Sequence, residues 1–137
     1  MFYSGSDLAR SFRVVRKNTL QIAQDIPEHK YGFRASPDTR TVAELLAHIV
    51  ASVRWTYRVH AIERPSTMSF EDFGRYAAEN AAFEKTLTTK AAIIQALETN
   101  RDEVAAWLDK IDEKTLAETI TFPAGVEPPS KIGRAHV

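Results

Sequence analysis

Between Thr41 and Glu63 the chain carries two adjoining apolar stripes at helical spacing, and this double stripe limits what the chain can fold into. One stripe is Val42, Leu45, Leu46, Ile49 and Val53; the other is His48, Ser52, Trp55 and Val59, at separations of three, four and seven. Together they make a wide apolar arc, as expected of a helix that touches two or more neighbours. Thr41 and Glu44 read as a capping box at its start: the hydroxyl accepts an orphan amide, and the carboxylate accepts back from the cap. Pro65 closes the segment by removing an amide donor.

The neighbours are found on either side. Leu8, Phe12, Val15, Thr19, Ile22 and Ile26 recur at spacings of three and four, which predicts a helix from Ser6 to Asp25 with Arg10, Arg13, Arg16 and Lys17 largely off its stripe. Pro27 stops it, and Glu28 to Arg40, with Gly32 and Ser36-Pro37-Asp38, reads as a loop. A third long helix is expected from Thr89 to Ile111, with Ile94, Leu97, Val104, Leu108 and Ile111 as its stripe and the Arg101 stem in one slot. Ser66 to Thr88 supports two readings, a short helix capped by Ser69 that carries Phe73, Tyr76 and Ala77, or an irregular crossover. Its aromatics call for packing on the bundle in either case.

Thr119 to Phe122 is β-branched or aromatic and reads as a short strand. Pro123-Ala124-Gly125 follows as a turn, and Val126 as a return strand. Pro128-Pro129-Ser130 reads as the approach to a fourth helix, with Ser130 as its cap. The final seven residues, Lys131 to Val137, match the translation of a common sequencing-library adapter and are expected to be a non-native tail. The expectation is one all-α domain over residues 1–130: an up-down four-helix bundle that lacks its last helix, with a short β-hairpin-like segment near the C-terminus.

Charge and composition narrow the function classes. Eighteen basic and eighteen acidic residues cancel, so nothing suggests the basic face that nucleic acid requires. With no cysteine there are neither disulfides nor thiolate ligands. The uncharged run from Leu45 to Val53 is too short to span a bilayer, and Asp7 and Arg10 interrupt any signal-peptide pattern. A cytoplasmic protein with no membrane partner is expected.

Four histidines are the candidate metal ligands, and a catalytic site of the zinc type needs about three protein ligands. His29 reads as an exposed loop residue, His60 as a complement to the dipole at a helix end, and His136 as part of the suspected tail. His48 reads either as a satisfied core residue or as a ligand. Glu44 precedes it by four, not by the three of a di-iron Glu-x-x-His motif. No phosphate-binding glycine loop or nucleophile elbow is present. No catalytic residue is identifiable.

Several segments together resemble the DinB-like family of small bacterial four-helix bundles. They are Ser11-Phe12; Tyr31-Gly32-Phe33-Arg34 with Ser36-Pro37-Asp38; Arg40 through Ile49; Trp107-Leu108; and Phe122 through Gly125 leading to Pro128-Pro129-Ser130. The resemblance implies that His48 is a metal ligand, with two more imidazoles supplied by a His-x-x-x-His pair on the last helix, a pattern this chain lacks. It implies a divalent metal (zinc, nickel or iron) and, with a low-molecular-weight thiol as co-substrate, a thiol S-transferase or hydrolase acting on a small electrophile. Homodimers are implied too. Tyr31 and Arg34 are expected to line the approach, and a piece holding His48 alone is expected to be inactive. The alternative is a non-catalytic, stress-associated helical binding or dimerisation module.

Overall fold

A computed structural model describes residues 3–124 of the chain. Five helices are present among them: α1 (Gly5–Asp25), α2 (Val42–Tyr57), α3 (Phe70–Glu84), α4 (Lys90–Lys110) and the short α5 (Glu113–Ala117). A 3-10 turn occupies Glu28–Lys30, and α2 runs on into a π-helical turn over Arg58–Glu63. The turn ends at Arg64, whose φ of 46° is left-handed, ahead of Pro65. No helix among the described residues is long and apolar enough to cross a membrane.

The starts of these helices are local chemistry. Ser4 with Asp7, Thr41 with Glu44 and Ser69 with Asp72 all form capping boxes. Thr89 and Asp112 cap α4 and α5 by accepting from Ala92 N–H at 3.2 Å and Thr115 N–H at 2.8 Å. Ser69 thus begins a full helix, which decides between the two readings of Ser66 to Thr88.

The helices α1 and α2 both pack on α4, and α3 packs on the other side of α2. One core cluster joins Leu20 and Ala23 of α1, Leu46 and Val50 of α2, Ile93 and Leu97 of α4, and Tyr31. A second joins Ala9, Val104 and Leu108, with Phe12, Val53, Tyr57 and Trp107 packed around it. Gly5 lies so close to the Leu108 carbonyl and the Ile111 side chain that a Cβ would overlap both. A third cluster, Val59, Met68 and Tyr76 with Trp55 and Phe73, closes the far end of α2 against α3.

Three expectations need correction. The buried face of α1 is rotated away from the Leu8–Val15–Ile22 stripe: Ala9, Arg16, Leu20 and Ala23 are inside, whereas Val15 and Ile22 are 63% and 56% exposed. Only one side of α1 is covered by a described helix, and small alanines let α4 approach that side. Arg16, expected outside, is 2% exposed; it donates to the Leu97 carbonyl at 2.8 Å and to Asn100 Oδ1 at 2.9 Å. Asn100, not Arg101, occupies the inward slot of α4. Burial brings the Arg16 pKa down to about 10, so the guanidinium remains charged at neutral pH. The expected hairpin partner at Val126 lies outside the described residues, whereas the strand-like Thr119–Phe122 is described. It makes a single parallel bridge to the α2–α3 connection, through Met68 N–H to Thr121 O and Thr121 N–H to Ser66 O, both 2.9 Å. Val126, Ser130 and the suspected tail Lys131 to Val137 lie outside the described residues.

Two predictions follow from this architecture. Asn100→Leu removes an acceptor from a buried guanidinium and should cost about 1–3 kcal/mol. Adding Arg16→Met should recover most of that loss, because two apolar side chains replace both polar partners. Urea midpoints check this, and a double variant no more stable than the single one would contradict the assignment. The capping carboxylates of Asp7, Glu44 and Asp72 are held below their ordinary pKa, chiefly by the backbone N–H of their caps. Their contribution is therefore full above the ordinary carboxylate range and is lost as pH falls through the lowered values. The melting temperature should drop on acidification below about pH 4. A variant combining Asp7→Asn, Glu44→Gln and Asp72→Asn should show a flatter profile of melting temperature against pH than the unaltered protein.

Candidate functional site

His48 stands in the second turn of α2, placed there by the Thr41 cap. Thr41 Oγ1 accepts from Glu44 N–H at 3.1 Å, and Glu44 Oε2 accepts from Thr41 N–H at 2.8 Å. The remaining early amides are also taken: Val42 N–H bonds Phe33 O and Ala43 N–H bonds Tyr31 O, both at 3.0 Å. With these donors satisfied, the N-terminus of α2 has no free amides for an anion there. The start of the helix serves to fix the rotation and height of the histidine.

The His48 side chain is 42% exposed, so it is not a core residue. Its Nδ1 lies 2.6 Å from Glu84 Oε1, a carboxylate 21% exposed on the last residue of α3. Its Nε2 has Ser52 Oγ at 3.5 Å, one turn further along α2. That distance is at the outer limit of a hydrogen bond. An ionised carboxylate only accepts, so this contact calls for a ring hydrogen on Nδ1. Around the pair, Ile49, Phe83 and Leu87 pack on the first core cluster, and the Arg54 guanidinium lies 4.5 Å from the Phe83 ring centroid. Residues on both sides of the contact are therefore held by packing.

The structure does not bring the other candidates to this point. Tyr31 is buried, its hydroxyl donating to the Ala23 carbonyl at 2.5 Å, and burial pushes its pKa up. It is a core residue and does not line an approach. Arg34 braces the capping box, donating to the Thr39 carbonyl and to Glu44 Oε2 at 3.2 Å. His29 is exposed on the 3-10 turn, as expected. His60 sits on the π-helical turn, twelve residues and roughly 18 Å of helical rise beyond His48. His136 lies outside the described residues. Among the described residues no three His, Cys, Asp or Glu side chains gather as a metal-binding group. His48 and Glu84 thus form one imidazole–carboxylate pair between α2 and α3.

Glu84 escaped the reading of the sequence because it is 36 positions from His48 and reaches it only when α3 packs on α2. One local signal was available. An acidic side chain in the last turn of a helix opposes the helix dipole, and α3 has no basic residue there.

A second polar cluster fastens the π-helical turn to α3. Glu63 accepts from Arg58 Nε at 2.5 Å and from the Tyr76 hydroxyl, while Arg58 also reaches Glu79. The Tyr76 bond is the chief cause that lowers the Glu63 pKa, and burial is the chief cause that raises that of Tyr76. Trp55, seven residues after His48, packs on Tyr76 with ring centroids 6.1 Å apart. Its buried Nε1 has no hydrogen-bond partner among the described residues. This cluster ties elements together at the opposite end of α2 from His48.

Comparison with known proteins adds one match. The family model described as the DinB superfamily matches residues 11–137. No curated protein and no solved structure matches the chain.

Proposed function

The chain belongs to the DinB superfamily, and from that membership we propose that it is a metal-dependent enzyme with His48 as one ligand. The reaction is a thiol transfer to, or a hydrolysis of, a small electrophile. The observation that carries this reading is the His48 ring, held at Nδ1 by Glu84 at 2.6 Å, with only the long 3.5 Å contact to Ser52 Oγ at Nε2. Metal-ligating histidines characteristically anchor their second nitrogen on a carboxylate or carbonyl in this way. Zinc, nickel and iron all accept a neutral imidazole. When bound, such an ion supplies a polarised thiol or water of lowered pKa as the nucleophile. In a transferase that thiol is a low-molecular-weight co-substrate.

The residues of this chain orient the donor. The Thr41 cap sets the position of His48, and packing of α2 on α3 brings Glu84 to its ring. The chain contains no His-x-x-x-His pair, so His48 is the one ligand we assign to it.

A second reading, a non-catalytic binding or dimerisation module, is favoured by a different observation. Val15, Ile22, Leu45 and Phe70 are large apolar side chains left exposed, and such side chains suit a partner surface. Metal analysis of the protein expressed from its native gene separates the two. Stoichiometric zinc, nickel or iron that disappears in His48→Ala supports the enzyme. Absence of metal from both proteins, with equal melting temperatures, supports the module.

A further inference from the structure

The His48–Glu84 contact combines three features that packing alone does not explain. First, it is the short bond of a partly exposed pair, at 2.6 Å, between residues of different helices. Second, Glu84 occupies the last position of α3, where the helix dipole disfavours a negative charge, so its placement needs a compensating partner. Third, the carboxylate meets Nδ1 while Nε2 faces only the Ser52 hydroxyl at 3.5 Å. Lys85, the neighbouring cation at the end of α3, is not bonded to Glu84.

We propose that Glu84 is a positioning residue that holds His48 in the Nδ1–H tautomer and presents the Nε2 lone pair as the donor atom. The physical basis is simple. A neutral imidazole has one N–H and one lone pair, and the hydrogen bond made at one nitrogen decides which the other presents. An ionised carboxylate accepts only, so Glu84 selects N–H at Nδ1. It also fixes the ring plane, since the carboxylate is anchored at the end of α3 while the ring is carried by α2. Free histidine prefers the opposite tautomer, with the hydrogen on Nε2. Without Glu84 the donor nitrogen would therefore be protonated most of the time. The inference rests on the metal reading for its purpose, but its structural content, the tautomer, stands apart from it.

The test is long-range proton–nitrogen NMR of His48 in the full 137-residue chain, at a pH where the ring is neutral. The unaltered protein should show Nδ1–H. Glu84→Ala should revert to Nε2–H, and Glu84→Gln, whose amide donates as well as accepts, should lose the strict Nδ1–H preference. A purely structural role for Glu84 would leave the tautomer unchanged in both variants, and far-UV circular dichroism verifies that both fold. An Nε2–H ring in the unaltered protein, or an Nδ1–H ring that persists in Glu84→Ala, would overturn the proposal. Nickel titration, read from broadening of the His48 ring signals, supplies the second arm. Binding should weaken by roughly tenfold or more in Glu84→Ala; equal binding in both proteins would also overturn it. If nickel leaves the His48 ring unaffected while the tautomer still follows Glu84, the positioning role stands by itself, apart from the metal reading.

Discussion

The α4 helix is the element on which the rest of the structure depends, and burial along its inner face is the interaction that matters most. Ile93, Leu97, Val104 and Leu108 are buried against α1 on one side and α2 on the other. Burial of one such side chain contributes about 1.5–3 kcal/mol. The apolar run is broken once, at Asn100, and the break is matched by Arg16 on the facing helix. A guanidinium among apolar side chains is costly unless its donors are satisfied. The Leu97 carbonyl and Asn100 satisfy two of them, and they do so only in one register of α1 against α4. This polar layer lies between the two core clusters, and its hydrogen bonds favour the register in which Arg16 meets Asn100.

With α2 fixed on α4, its other side receives α3, and this second packing event assembles the site. His48 is delivered by local means: a capping box fixes the start of α2 and helical geometry places the ring one turn beyond Glu44. Glu84 is delivered by tertiary means, at the end of α3 beside Phe83, which packs into the first core cluster. The two ends of α2 are organised differently. At the His48 end a single carboxylate holds the imidazole ring. At the far end Arg58, Glu63, Tyr76 and Glu79 satisfy one another and hold the π-helical turn to α3.

Membership of the DinB superfamily gives His48 its interest, and the segment from Arg40 to Ile49 made that kinship legible from the residues alone. Other features were legible for reasons of range. Thr41 with Glu44 is a contact across three residues, so side-chain chemistry and backbone geometry settle it without help from the rest of the fold. The same holds for Ser69 with Asp72, which turned an ambiguous crossover into α3. Tyr31 was misjudged because its position in a loop suggested access, whereas its hydroxyl is spent on the Ala23 carbonyl in the core.

The order of amino acids by itself determined the helical class, the start of each long helix and the presence of His48 early in α2, since caps, prolines and apolar periodicity act within a few residues. It did not determine which side of a helix lies inside. Val15 and Ile22 have the periodicity of a core stripe yet stand exposed, and Arg16 has the character of a surface residue yet is buried. Only the tertiary structure decided these, because burial depends on which neighbour arrives and how closely its side chains allow it to approach. It also decided the meeting of Glu84 with His48, because a hydrogen bond between residues 36 apart exists only when two helices have packed.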